Sequence, residues 1–324
     1  MNPLDRVTSL CWSPSVPEEH QVRIEMPDKL LKESIQETGL SGMPGHHLAR
    51  WVSSWKNRLL ESPGFVLLET AGDLTDSQLR QLYARVARAL GTLNSRYGEL
   101  FDVKDQGLDH TKDAIPVSKT RADTGFHTDS SAMEYCPQVV GLLCLQRAMT
   151  GGESRLANAA DLCCWLRHHH PESLLALARP VHRDIITPGN RQNTDEIEKN
   201  AFPILQLNQH GLHFRYMRFW ITTAYQKLGR PLPTGLQAAM DRVDRFLENS
   251  NHVFSTHLDR GEILFVNNHH LCHSRTAFTD AADGVRPRIM VRTWIDNVTL
   301  PEPEARLHLE WQTAISSENV SCRF

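Results

Sequence analysis

From Phe101 to Ile295 the chain is a succession of short runs rich in Val, Leu, Ile, Phe and Thr, punctuated by Gly, Pro, Asn and Asp. Runs of this length read as strands, and many of them in series bury their apolar faces only as a sandwich or barrel. The strand candidates are residues 126–130, 139–146, 153–157, 181–186, 202–207, 212–217, 252–258, 262–266 and 288–295. Helices flank them. Residues 44–60 set Leu48, Trp51, Val52, Trp55 and Leu59 at helical spacing, and residues 76–90 do the same with Leu79, Leu82, Val86 and Leu90 behind a capping Thr75 or Asp73. Between them Phe65-Val66-Leu67-Leu68 reads as a buried strand. Two more helical stretches, 159–177 (broken at Pro171) and 233–247, interrupt the strands. The expected fold class is mainly β with flanking helices, α+β. Residues 1–45 are expected to be an N-terminal extension packed on the domain, 46–300 the domain, and 301–324 a tail without a readable pattern.

Composition narrows the possible partners. The 324 residues carry a net charge of −3, with Lys and Arg scattered rather than clustered, so neither a nucleic-acid footprint nor a membrane-surface patch is expected. The expected partner is a small molecule. The 7 cysteines are odd in number and lie partly in apolar runs, as reduced buried thiols do; no Cys-x-x-Cys pair suggests zinc. No basic-then-apolar leader opens the sequence, and no apolar run approaches the roughly 20 residues that span a bilayer. The expected compartment is the cytoplasm.

The chemistry points to Gly125-Phe126-His127-Thr128-Asp129-Ser130-Ser131. On an extended strand, side chains two apart share a face, so His127 and Asp129 would converge. Two histidines and a carboxylate on one side of a metal leave open positions, an arrangement suited to non-haem Fe(II) binding a cosubstrate and O2. Zinc favours a closed tetrahedron or a single water. The chain holds two further triplets, His182 to Asp184 and His257 to Asp259, but one follows a proline beside a polar loop and the other runs into the turn Arg260-Gly261. The remaining ligand is sought in Asn267-Asn268-His269-His270-Leu271-Cys272-His273, where His269 and His270 face opposite ways and His273 leads towards the arginines. In Arg288-Ile289-Met290-Val291-Arg292-Thr293-Trp294-Ile295, strand alternation puts Arg288, Met290, Arg292 and Trp294 on one face. Buried guanidinium groups need anions: a dicarboxylate and an acidic substrate, or Asp and Glu of the protein itself.

These motifs together resemble the taurine dioxygenase and clavaminate synthase-like family of Fe(II)/2-oxoglutarate-dependent oxygenases, over about residues 64–296. Phe126-His127-Thr128-Asp129 looks like the family's His-x-Asp strand, and Gly151-Gly152-Glu153-Ser154 like its Gly-Gly-x-Thr/Ser turn. Gly261-Glu262 through Asn267-Asn268 to His273 looks like the approach to its distal histidine, and Arg288 to Arg292 like its arginine strand. The resemblance implies a double-stranded β-helix, or jelly roll, with iron held by His127, Asp129 and His273. It implies that Arg288 and the Ser154 hydroxyl hold the far carboxylate of 2-oxoglutarate, and that Arg292 meets an acidic group of the substrate. Arg218 is a further candidate for that contact, and residues 102–124 for a lid. Halogenases of this family replace the carboxylate ligand by a small residue; Asp129 therefore favours oxygen transfer.

The expected reaction is hydroxylation of an unactivated carbon of a small polar substrate, a free amino acid or an amino-acid-like metabolite, with 2-oxoglutarate and O2 as cosubstrates and succinate and CO2 as by-products. Desaturation, cyclisation or demethylation by the same iron chemistry remains open, as does a non-catalytic jelly-roll binding protein.

Overall fold

The computed structural model describes residues 3–12, 15–36, 44–70, 72–108, 117–184, 194–208, 211–281 and 287–299. Its largest sheet has seven strands, in the order Arg23–Glu25, Phe65–Glu69, Ile263–Asn267, Val139–Gln146, Ile289–Asp296 and Thr92–Leu93, with Phe101–Val103 also paired to Ile289–Asp296. The first pair is parallel and the others are antiparallel.

Period-two alternation decides which way each side chain points. In Ile263–Asn267, Ile263 and Phe265 pack beneath helices Asp28–Gln36, His46–Leu60 and Asp76–Leu90, against Trp55, Leu82 and Val86. Leu264 and Val266 point the other way, into a second core shared with Leu156, Phe254 and Leu271. These last three belong to a facing three-stranded sheet in the order Val253–Thr256, Ser154–Asn158, Leu271–Arg275. Behind it a third core is built by helices Ala159–His169, Pro171–Leu177, Arg218–Lys227 and Leu236–Glu248 and by the hairpin of Leu205–Asn208 with Gly211–Phe214. Two facing sheets with helices outside make an α+β fold; among the described residues the strands form no closed barrel.

Several expected boundaries move. Residues 126–130 are not a strand, since His127 alone makes a bridge, to His273. The expected 212–217 strand ends at Phe214, and Arg218–Lys227 is a helix the sequence did not announce. Only Val181–His182 of the 181–186 run pairs, and residues 185 and 186 lie outside the described residues, as do 109–116 of the candidate lid and the tail from 300. The N-terminal region is more structured than its pattern suggested: it holds helix Asp28–Gln36 and the edge strand Arg23–Glu25, and it buries Trp12, Val22, Met26, Leu30 and Leu31. No helix among the described residues is long and apolar enough to cross a membrane.

Candidate metal centre

The segment carrying His127 and Asp129 is threaded between three neighbours. Thr124 N donates to Arg275 O (3.1 Å), and His127 and His273 exchange both main-chain bonds, each 2.9 Å. Thr128 N donates to Tyr216 O (3.0 Å), and Tyr216 N donates back to Thr128 Oγ1 (3.1 Å). The amide of Asn268 then clamps the next residue, accepting from Asp129 N (2.7 Å) and donating to Asp129 O (3.1 Å). Ser130, at φ 60°, turns the chain away. Convergence of the ligands thus comes from one bridge and one buried amide rather than from a full strand.

The imidazoles of His127 and His273 stand 4.5 Å apart, centroid to centroid, and their Nε2 atoms lie 3.7 and 3.5 Å from Asp129 Oδ1. A carbonyl can only accept, so the 3.0 Å contact of His127 Nδ1 with Gly125 O fixes the proton on Nδ1 and leaves the Nε2 lone pair free for a metal. Burial and the facing His273 lower the His127 pKa to about 4 despite Asp129, which keeps the ring in its ligating neutral form. Burial opposes charge on Asp129, but Arg292, His273 and His127 outweigh it and hold the carboxyl far below its usual range. Arg292 Nη1 lies 3.0 Å from both carboxylate oxygens and Trp294 Nε1 donates to Oδ2 at 2.7 Å. Trp294 was not singled out from the sequence as a site residue, although its place on the arginine face was the available signal.

The centre opens into a cavity with about 630 Å³ of atom-free space, its mouth included, lined by His127, His273, Ser154, Arg288 and Arg292 among apolar walls such as Leu142, Leu156 and Met290. Arg288 is buried, and its guanidinium lies 5.2 Å from the Phe278 ring; no carboxylate pairs with it among the described residues. Burial lowers its pKa to about 10, which still leaves it charged at neutral pH. Gly152, at φ 76°, lets the turn pass beside it: a Cβ there would stand 3.2 Å from Arg288 Nε. Arg275 lines the same cavity but donates to main-chain carbonyls of Thr120, Arg121 and Thr276.

Other candidates are not brought here. Arg218 spends its charge on Asp244 (2.5 Å) and Asp241 (2.6 Å). Asp184 pairs with Lys227, His182 with Glu198, His257 with Glu153 and Asp259 with Arg147. His270 is buried beneath Gly64, and His269 packs against His213. Of the three histidines in 269–273, only His273 joins His127 and Asp129, whose ligand atoms all lie within 4.8 Å of one another.

The chain belongs to a family of Fe(II)/2-oxoglutarate-dependent oxygenases, the taurine catabolism dioxygenase TauD, TfdA family, whose model matches residues 29–294. Among curated relatives it is 25% identical over 284 residues to FR-33289 synthase of Streptomyces rubellomurinus, covering 82% of this chain and 80% of that protein. It is 22% identical over 237 residues to the gamma-butyrobetaine dioxygenase of Homo sapiens, covering 72% of this chain but only 56% of the relative's length. The fold is shared with solved structures: asparagine oxygenase in complex with Fe(II), 2S,3S-3-hydroxyasparagine and succinate (TM-score 0.65, 18% identity, 85% of this chain and 93% of that one), and the non-heme iron oxygenase OrfP in complex with Fe, succinate and (3S)-hydroxy-L-Arg (TM-score 0.62, 14% identity, 85% and 94%).

Proposed function

We propose that this chain is an Fe(II)/2-oxoglutarate-dependent dioxygenase that hydroxylates an unactivated carbon of a small carboxylate-bearing substrate, a free amino acid or amino-acid-like metabolite. The two facing sheets are then the halves of a double-stranded β-helix. The observation that carries the reading is the convergence of His127, Asp129 and His273 at one end of a cavity that also holds Ser154 and the carboxylate-free Arg288. Two imidazole nitrogens and an ionised carboxylate suit Fe(II) and leave room for further ligands. When bound, the iron supplies the oxidising chemistry, with 2-oxoglutarate as electron donor and O2 as oxygen source.

The protein's own residues do the positioning. Arg292 and Trp294 hold the Asp129 carboxylate so that it keeps one orientation and its charge. Arg288, with the Ser154 hydroxyl, receives the distal carboxylate of 2-oxoglutarate through charge-assisted bonds, which a dry cavity strengthens. The apolar walls exclude water from the reacting carbon. Arg292 Nε is buried without a hydrogen-bond partner among the described residues, so a substrate carboxylate can be met there while Nη1 stays on Asp129. The relatives support the substrate class, because the two solved oxygenases hold hydroxylated amino acids.

The test loads the protein anaerobically with Fe(II) and 2-oxoglutarate, adds single amino acids and O2, and measures succinate together with product mass. Succinate formation with gain of one oxygen supports the proposal. Loss of two hydrogens instead assigns desaturation or ring closure, and cosubstrate binding without any succinate points to a binding protein.

A further inference from the structure

Joined to the candidate iron ligands through Asn268, which donates to both Asp129 O and Cys136 Sγ, lies a second cluster that does not line the cavity and that the proposed reaction does not use. Cys136, His213 and His269 bring one sulfur and two imidazole nitrogens within 4.8 Å of one another. The two rings stand 4.2 Å apart, tilted by 45°. Cys136 is buried and both histidines are half-buried, so the sulfur forms the floor and the imidazoles the rim. We propose that these three residues are a second divalent-cation site, and that it takes zinc.

The donor set separates the two centres. One sulfur and two nitrogens are borderline-soft and suit a tetrahedral Zn(II) with solvent in the remaining position, whereas two nitrogens and a carboxylate suit iron. The outer bonds fit as well: Asn268 Nδ2 donates to Cys136 Sγ at 3.1 Å, and such amide donors support an anionic sulfur ligand. On binding, Cys136 releases its thiol proton to solvent and no oxidation state changes. Sequence rules for zinc depend on closely spaced ligand pairs, and here each ligand comes from a different segment, so spacing could not show it.

The placement gives the site a purpose. Cys136 ends the loop that starts at Asp129. His213 lies on Gly211–Phe214, which leads into the Tyr216 that bonds Thr128, and His269 lies in the turn before Leu271–Arg275, the strand of His273. Phe214 N already donates to His269 O at 2.6 Å. A cation here ties together the three segments that aim the iron ligands.

Cobalt(II) tests this, since bound to a thiolate it shows a near-ultraviolet sulfur-to-metal absorption that a nitrogen and oxygen site lacks. Chelator-treated full-length protein is titrated with Co(II) under anaerobic conditions. The expected result is uptake of two equivalents, one of them accompanied by the sulfur band. Cys136→Ser should lose that band and one equivalent, while His273→Ala should lose the other equivalent and keep the band. Zn(II) should raise the melting temperature of His273→Ala by several degrees and leave that of the double variant His273→Ala with His269→Asn unchanged. Uptake by the unsubstituted protein without the sulfur band, whether of one equivalent or of two, overturns the proposal. Those readouts need no variant, so a misfolded Cys136→Ser does not weaken the test, and neither depends on turnover at the iron centre.

Discussion

Arg288, one residue ahead of strand Ile289–Asp296, and Arg292 within it line the same cavity, yet their surroundings make them different reagents. Arg292 has its anion in Asp129, and Arg288 has none among the described residues. Replacing Arg288 by Ala should therefore weaken 2-oxoglutarate binding roughly 10- to 100-fold, the worth of charged hydrogen bonds of about 1.5–3 kcal/mol, with iron affinity nearly unchanged in a separate titration. Asp129→Ala should abolish both iron binding and succinate formation; turnover that survived would remove Asp129 from the ligand set. Trp294→Phe keeps the packing and deletes one donor to Asp129, so iron should bind more weakly by about tenfold, with little change in the affinity for 2-oxoglutarate. The donor chemistry of His127, Asp129 and Arg288 was legible in the sequence because residue type is local, although the bridge and the Asn268 amide that make His127 and Asp129 converge were not. The bond from Trp294 to Asp129 was not, because it depends on how a loop meets a strand about 165 residues further on.

Elements show where local pattern stops being enough. Residues 126–130 read as a strand, but the ladder needs a partner at every second residue, and here only His127 has one. Helix Arg218–Lys227 went unread because it buries only Ile221, Ala224 and Tyr225, too few for a clear stripe. The turn at Gly151 and Gly152 was legible and has a mechanical reason, since both adopt positive φ. Gly152→Ala should strain that turn and press on Arg288, raising the apparent KM for 2-oxoglutarate more than it lowers kcat. The turn ahead of Leu271–Arg275 predicts a pH response. Burial, aided by His269, lowers the His270 pKa to about 3 from an ordinary 6.5. The unfolded chain therefore binds a proton between those values that the native protein refuses. The His270 contribution to stability is complete above about pH 6.5 and is lost at about 1.4 kcal/mol per unit as pH falls towards 3. Chemical unfolding of the metal-free protein across this range should show the slope, and a neutral, similarly sized residue at 270 should flatten it.

At the scale of the molecule, three apolar cores stack as layers, and the candidate metal centre lies at the edge of the middle one, whose Leu156, Leu264, Val266 and Met290 line its cavity. The outer helical core is a support rather than a participant: Phe265 is fully buried there, so Phe265→Ala should cost about 3–5 kcal/mol in denaturant unfolding. The N-terminal segment up to residue 36 supplies an edge strand and buried side chains to all three layers, so removing it should yield a destabilised or insoluble chain, visible in the soluble fraction and melting temperature. Its part in the fold was hard to read because short elements that borrow a neighbour's core show little periodicity of their own. The exchange of main-chain bonds between His127 and His273 has a consequence for which ions the centre accepts. It sets two jaws of a caliper at a gap fixed by peptide geometry, before any metal arrives. Asp129 is set across that gap by side chains instead, so on the proposed reading discrimination between cations of different radius falls to Arg292, Trp294 and Asn268 rather than to the histidines.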